Sequence, residues 1–173
     1  MDTLESRIAR LEAIEAIRQL KARYLSACDQ KDLEGIRDCF LDGDVVIDFD
    51  RVGRFQSAEE LLAVFRQYGD LPHIVEMHHG QNPQITVLGA DHASATWGLY
   101  YHLIDTESNS VTQLGGFYED EYRMQTGDWK ISTTRFRVSS TLILDLADGV
   151  ARSRFAGRAA PAELDTLEGQ SKA

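Results

Sequence analysis

The sequence predicts an α+β fold in which a strongly curved antiparallel sheet wraps around N-terminal helices and leaves a cone-shaped cavity between them. Two observations predict this class: helical spacing of apolar residues is confined to the first part of the chain, and four long strand-like segments follow. A chain of 173 residues can bury a core large enough to enclose a pocket. Because no repeat or linker is visible, we predict a single domain over residues 1–173, with a core at about 10–140 and a tail at about 145–173.

The first helix is predicted over residues 3–29, where apolar residues recur every three or four positions. Thr3 can cap its start. The predicted apolar stripe consists of Leu4, Ile8, Leu11, Ile14, Ile17, Leu20, Tyr24, Leu25 and Cys28. The predicted solvent-facing side carries Glu12, Glu15, Arg18 and Arg23.

Two shorter helices are predicted from their capping residues. Asp32 can cap a helix that reaches Leu41, before the turn Asp42-Gly43. Ser57 and Glu60 have the spacing of a capping box, which predicts a third helix that ends near Gly69.

The strands are predicted from alternating apolar residues and turn residues. A short hairpin is expected from Val45–Phe49 and Val52–Phe55, followed by long strands at 74–88, 92–105, 111–125 and 129–144. Strands this long exceed the common length of about 5–6 residues, so we expect bends, and Gly115-Gly116 is typical of a bulge. In the tail, Pro161 can start a short helix, Ala162–Leu167.

Charge and cysteine content exclude several function classes. The net charge of −10 argues against nucleic acid and anionic membrane surfaces, both of which require a basic face. Only Cys28 and Cys39 occur, without metal-ligand spacing, so no metal site is expected. No apolar run is long enough to cross a membrane and the N-terminus is charged, so we predict a cytoplasmic protein with reduced thiols.

The residues alone leave the catalytic candidates open. Asp29 lies at the edge of the apolar stripe, where a carboxylate either faces water or is held inward by a partner. His78 and His79 are adjacent in a predicted strand, so only one of them can enter the cavity. Alternation does not decide which, because the apolar residues Val75 and Met77 share the parity of His79.

Four segments resemble one family. They are 14–24 followed by Asp29, Met77–Pro83, Ala95–Trp97, and Gly115–Tyr122 leading to Gly127–Ile131. They are similar to nuclear-transport-factor-2-like, SnoaL-type proteins over roughly residues 10–140. Within that group the resemblance is greatest to bacterial bile acid 7α-dehydratase, and scytalone dehydratase and hexachlorocyclohexane dehydrochlorinase are more distant.

The resemblance implies an Asp–His pair as the catalytic centre. The catalytic Asp matches Asp29, the catalytic His matches His78 rather than His79, and a helix Tyr matches Tyr24. A strand carboxylate of the bile acid enzyme falls on Tyr101, so that role is altered or absent here. The basic residue of the last strand matches Arg137 or Arg135, neither of them without a shift.

Such a pair supports proton removal without a cofactor. An Asp that accepts a hydrogen bond from one imidazole nitrogen leaves the other nitrogen as a general base near neutral pH. We therefore predict a dehydratase-like lyase that removes a proton next to a carbonyl, with Tyr24 or Tyr101 assisting the leaving hydroxyl. The alternatives are an isomerase that uses the same base, or a non-enzymatic binding module on the same fold.

The predicted substrate is a small apolar molecule that contains rings, because aromatic side chains are expected to line the pocket. The expected contacts are Tyr101, Phe49, Trp97, Asn82 and Arg137. A sheet that is apolar on both faces needs cover on its convex side, so we predict a homo-oligomer. The resemblance favours a trimer over a dimer.

Overall fold

The computed structural model describes residues 3–50, 52–146 and 151–157, the last segment except its first residue by backbone alone. Three helices and two short strands precede five longer strands, so the predicted α+β order is correct. The helices are α1 (Leu4–Gln30), α2 (Leu33–Asp38) and α3 (Ala58–Tyr68). The strands are β1 (Val46–Phe49), β2 (Gly53–Phe55), β3 (Ile74–Val87), β4 (His92–Asp105), β5 (Ser110–Gln125), β6 (Asp128–Asp145) and β7 (Arg152–Gly157).

Helix α1 is capped as its sequence predicts, but its apolar stripe is only partly buried. The Thr3 hydroxyl accepts the Ser6 backbone N–H at 3.1 Å, and Lys31 ends the helix in the left-handed conformation with φ 60°. Burial begins at Ile17. The expectation that the whole stripe packs inward is wrong for three residues that precede the helix's contact with the sheet and stay exposed: Leu4, Ile8 and Leu11.

The two shorter helices begin at the predicted caps. Asp32 accepts the Gly35 N–H at 2.9 Å at the start of α2. Ser57 accepts the Glu60 N–H at 3.2 Å at the start of α3, and the Glu60 carboxylate accepts the N–H of Gln56 at 2.9 Å. The reciprocal bond of the capping box therefore goes to the residue before the cap.

The strands form one curved sheet in the order β2-β1-β6-β5-β4-β3, with β7 paired to β6. All pairs are antiparallel except β1 with β6. The predicted bulge is confirmed, because the β5–β6 register shifts between Gly115 and Gly116. A Cβ at Gly116 would lie 2.4 Å from the Phe136 ring, so only glycine allows this close approach.

One face of the sheet packs against α1, and the other carries exposed apolar side chains. Trp97, Leu99 and Tyr118 are buried in a core that the helices and the sheet share. Strand β7 falls in the predicted tail, whereas the predicted helix Ala162–Leu167 lies outside the described residues. Because β3 ends the strand order, its free edge and the C-terminal half of α1 together frame the site described next.

Candidate active site

Asp29 and His78 are in direct contact where the last turn of α1 meets β3. Asp29 Oδ1 lies 2.7 Å from His78 Nδ1. The backbone N–H of His78 donates to the same carboxylate, 3.0 Å from Oδ1 and 3.2 Å from Oδ2. A carboxylate held at both oxygens cannot rotate freely, and a ring that donates from Nδ1 has its Nε2 lone pair available to accept a proton.

The parity of β3 decides between the two adjacent histidines. The His78 side chain is 14% exposed and points toward α1, whereas His79 is exposed. Val75 and Met77 lie on the outer face with His79, each of them half exposed. Alternation could not decide the matter from sequence because apolar residues occupy the outer face of this strand.

A cleft of about 460 Å³ runs beside the pair, between α1 and β3. This volume is within the range of about 300–1,000 Å³ that is typical of small-molecule sites. The cleft is lined by Arg18, Lys21, Ala22, Leu25, Ser26, Asp29, His78, His79, Gly80, Pro83 and Trp97. Three predicted site residues, Asp29, His78 and Trp97, therefore share one cleft.

A second carboxylate, Glu76, lies close to the pair. It precedes His78 by two residues and so shares its face of β3. The Tyr101 hydroxyl donates to Glu76 Oε1 at 2.7 Å, and Lys31 forms an ion pair with the other oxygen. The Tyr101 ring packs against the His78 imidazole with ring centroids 4.7 Å apart. Burial and the charge of Glu76 hold the pKa of Tyr101 well above its usual range, so its phenol stays protonated.

Two other predicted residues lie in the core and do not line the cleft. Tyr24 is buried and meets the Phe40 ring edge-on at 5.6 Å, and burial raises its pKa well above the usual range. Phe49 packs against the Tyr118 ring at 6.1 Å. Tyr24 does not line the cleft because it lies five residues before Asp29 on α1. Five residues turn an α-helix by about 140°, so the two side chains leave it on different sides.

The remaining predicted contacts do not line the cleft. Arg137 pairs with Asp48, with Nη2 at 2.7 Å from Oδ2, and is half exposed. Arg135 lines a separate depression of about 370 Å³ with Glu119 and Glu121. Asn82 is exposed at the irregularity of β3, with φ 51°. Neither arginine reaches the pair, since β6 is separated from β3 by two strands.

The sequence reasoning missed a buried ion pair at the floor of the cleft. Lys21 donates to Asp120 Oδ2 at 2.8 Å, and both side chains are at most 1% exposed. The Lys21 ammonium also lies 3.5 Å from the centre of the Tyr118 ring. Burial lowers the pKa of Lys21, and the charge of Asp120 opposes that effect. A signal was present, because Lys21 lies four residues from both Ile17 and Leu25 and thus within the apolar stripe.

The ion pair belongs to a hydrogen-bonded network that extends to the cleft wall. The Tyr122 hydroxyl donates to Asp120 Oδ2 at 2.7 Å, and the Trp97 indole N–H donates to the Tyr122 oxygen at 3.0 Å. Asp120 Oδ1 is buried and accepts no hydrogen bond from the residues that the structure describes. The network therefore fixes Trp97, which lines the cleft.

The described part of the chain has no cluster suited to a metal ion, and its two cysteines are buried. Among residues 3–50, 52–146 and 151–157, no group of three or more His, Cys, Asp or Glu side chains could hold a metal ion. Burial raises the pKa of Cys28 to about 12 and that of Cys39 to about 11. Both thiols are therefore neutral near pH 7 and are poor nucleophiles.

A family model described as a SnoaL-like domain matches residues 9–135. The chain belongs to the SnoaL-like family, in the nuclear-transport-factor-2-like superfamily. The match includes α1 from residue 9 onward, the Asp29–His78 contact and the buried Lys21–Asp120 pair. In this SnoaL-like protein, no described helix is long and apolar enough to span a membrane.

Solved structures share the SnoaL-like fold at low sequence identity. A hexachlorocyclohexane dehydrochlorinase (LinA, type 2) is 18% identical with a TM-score of 0.71, covering 91% of this chain and 99% of that one. A protein described as a scytalone dehydratase, from Novosphingobium aromaticivorans, is 18% identical with a TM-score of 0.72, covering 90% and 99%. A cystatin-like protein of unknown function from Nostoc punctiforme is 20% identical with a TM-score of 0.57, covering 79% and 92%. At these identities the likeness shows the fold.

Proposed function

We propose that this protein is a cofactor-independent lyase of the dehydratase type, in which His78 removes a proton from carbon next to a carbonyl group. The observation that carries the proposal is the 2.7 Å contact between Asp29 Oδ1 and His78 Nδ1 at the end of an open cleft. The fold that it shares with a dehydrochlorinase and a protein described as a scytalone dehydratase supports an elimination.

The chemistry follows from the two groups. His78 Nε2 accepts the proton from carbon, and the imidazolium that forms is stabilised by the Asp29 carboxylate. The electron pair of the broken C–H bond forms an enolate and then a carbon–carbon double bond, while the hydroxyl on the β or vinylogous carbon leaves as water after taking up a proton. No redox change occurs, so the reaction requires no electron carrier.

The proton for the leaving hydroxyl has two candidate sources. One is the His78 imidazolium itself, which would return the proton that it has just accepted. The other is Tyr101, whose ring packs against His78; its hydroxyl would turn from Glu76 to the substrate, and the His78 imidazolium would then return a proton to the phenolate. Tyr24 is buried against Phe40 and is less well placed to donate, so we expect Tyr24→Phe to be mild.

The apolar middle of the cleft supports a ring-containing substrate. Leu25, Pro83 and Trp97 line the space between the polar ends, and Trp97 is held in place through Tyr122. A rigid aromatic wall favours flat molecules through stacking and dispersion. We therefore propose hydroxylated polycyclic or aromatic carbonyl compounds as substrates.

An isomerase is the second candidate, since a base that removes a proton next to a carbonyl can return it at another carbon. The two reactions differ in product mass, because elimination loses one water and isomerisation loses none. A binding module that performs no chemistry would give neither a new product nor solvent deuterium in the ligand.

The test is a screen of hydroxylated steroid and polyketide ketones in deuterated water, read by mass spectrometry. We expect a product lighter by one water, and a fall of about 10²–10⁴-fold in rate for His78→Ala. His102→Ala is the matched control, because that histidine lies on β4 and does not line the cleft. Turnover that survives in His78→Ala would refute the proposed base.

A further inference from the structure

The N-terminal end of α1 projects from the body of the molecule. Residues 4–12 are all exposed, and full burial along the helix begins only at Ile17. Three of the exposed residues are large and apolar: Leu4, Ile8 and Leu11 are 68%, 46% and 65% exposed. A helical segment this short is marginal in water unless its apolar face packs against something. This exposed stripe, Leu4, Ile8 and Leu11, therefore calls for a partner.

The exposed stripe points away from the core of its own chain. Ile8 lies nine residues before the buried Ile17, and nine residues are two and a half turns of an α-helix. The two side chains therefore leave opposite sides of α1, and the sheet packs on the side of Ile17. Leu4 lies five full turns before Ala22, which lines the cleft. The exposed stripe thus continues along α1 toward the mouth of the cleft, where the sheet of the same chain does not cover it.

The pattern of the exposed stripe favours pairing with an identical helix in parallel. Ile8 takes the a position of a heptad and the leucines on either side of it take d positions, a combination that favours two parallel strands. Arg7 flanks the stripe on one side and Glu12 on the other. In a parallel pair Arg7 faces Glu12 of the second copy, twice by symmetry. An antiparallel pair would instead bring the acidic flank of Glu5 and Glu12 against itself.

The charges of this segment are available for such a contact. Neither Arg7 nor Glu12 has an opposite charge three or four residues away on α1, and neither forms an ion pair with a described residue. Residues 4–14 contain two acidic and two basic side chains, so the segment has no net charge, whereas the whole chain carries −10. Two copies can therefore approach one another here without the repulsion that the rest of the surface imposes.

We infer that two copies of this chain pair in parallel along the exposed stripes of their first helices, beside the mouths of their clefts. This contact is separate from the one expected on the outer face of the sheet, because α1 packs on the opposite face. Three side chains from each copy bury less than the roughly 1,200 Å² at which stable interfaces begin. The contact is weak by itself and is reinforced where other contacts already hold the copies together.

Cysteine cross-linking of the full chain tests the pairing. Leu11→Cys, oxidised with diamide at sub-millimolar concentration, should give a covalent dimer on a denaturing gel without reductant, because each residue 11 faces its own copy in a parallel pair. The native Cys28 and Cys39 are buried and do not contribute. Val52→Cys is the matched control, since Val52 is 60% exposed but lies between β1 and β2. We expect the dimer to form several times faster in Leu11→Cys.

Charge reversals test the register of the pair. In the Leu11→Cys chain, Arg7→Glu or Glu12→Arg alone should slow dimer formation about five-fold, because each turns two exposed attractions into repulsions. The two reversals together should restore the rate, because they exchange the charges and keep the pairs. Arg23→Glu is the matched control, since it changes the net charge as Arg7→Glu does but lies on an exposed position further along α1.

Sedimentation without an added cysteine provides a second readout. Leu11→Glu should lower the mean particle mass at the same concentration, and Val52→Glu should leave it unchanged. Equal rates of dimer formation in Leu11→Cys and Val52→Cys would overturn the pairing. The parallel register would be overturned if the double reversal failed to restore the rate, or if Leu11→Cys formed disulfides faster with an Ile8→Cys chain than with itself, as an antiparallel pair requires.

Discussion

The buried Lys21–Asp120 pair allows a stability prediction that requires no substrate. Lys21→Met keeps most of the length of the side chain but removes the ammonium, and Asp120 is left as an uncompensated carboxylate with its side chain 0% exposed. Of the described donors, only the Tyr122 hydroxyl would then remain on that carboxylate. Breaking one partner of a buried pair costs about 3–5 kcal/mol, so we expect the free energy of unfolding of Lys21→Met to fall by that amount.

The double variant should be more stable than this single variant. In Lys21→Met with Asp120→Asn no charge remains at this site, and the amide oxygen can still accept a hydrogen bond from the Tyr122 hydroxyl. We expect the double variant to recover about 2–4 kcal/mol of the free energy of unfolding that Lys21→Met loses. The reason is that Asp120→Asn removes the buried carboxylate, and with it the cost of keeping an unpaired charge out of water. The two substitutions are therefore strongly non-additive.

Urea unfolding at pH 7 followed by far-ultraviolet circular dichroism measures these differences. The matched control is Arg37→Met, whose ion pairs with Asp42 and Glu59 are largely exposed and should contribute at most about 1 kcal/mol. A loss in Lys21→Met as small as that in Arg37→Met, or additive losses in the double variant, would refute the claim that a dehydrated charge pair lies at the floor of the cleft.

Three further predictions concern the proposed base, the assembly and the thiols. In a double-mutant cycle on whichever substrate is found, His78→Ala with Asp29→Asn should be scarcely slower than either single variant, whereas additive losses in log rate would show that the two groups act separately. We expect a homo-oligomer, with a trimer favoured over a dimer. The subunits should contact one another through the outer face of the sheet, where Phe117 is 59% exposed. Phe117→Glu should therefore give a smaller particle in light scattering, and a wild-type monomer at micromolar concentration would contradict this prediction. At pH 8, Cys28 and Cys39 should react with a disulfide reagent only after urea is added, since burial raises their pKa values to about 12 and about 11. Both values exceed the ordinary thiol pKa of 9.0. The stability that the two neutral thiols contribute is therefore complete below pH 9 and is lost as the pH rises toward 11–12.

The sequence predicted those elements whose signals are local. Thr3, Asp32 and Ser57 cap helices where expected, and Gly115-Gly116 is a bulge. These features depend on residues a few positions apart, so they can be recognised without knowledge of the tertiary structure. The contact between Asp29 and His78 joins residues 49 positions apart, and only the family resemblance suggested it.

Periodicity could not predict which residues of α1 are buried, because burial depends on which other elements cover the helix. Leu4 and Leu11 have helical spacing but lie where no described element covers α1. Lys21 was overlooked for the opposite reason, because its partner Asp120 lies 99 residues away on a strand. In β5 the parity of Tyr118 and Tyr122 places Asp120 on the buried face, which is the one local sign that it needs a cation.

The position of Glu76 bears on the one residue at which the resemblance fails. The carboxylate expected on β4 is replaced by Tyr101, yet Tyr101 lies opposite His78 in the β3–β4 register and donates its hydroxyl to Glu76 on β3. A carboxylate is therefore present near the imidazole, but it is that of Glu76 on β3 and not a residue of β4. Lys31 pairs with Glu76, so its negative charge is balanced in the resting site, while Asp29 remains the carboxylate in direct contact with His78. Under the proposed mechanism the charge that stabilises the imidazolium comes from Asp29, and Glu76 accepts the hydrogen bond that orients the Tyr101 hydroxyl.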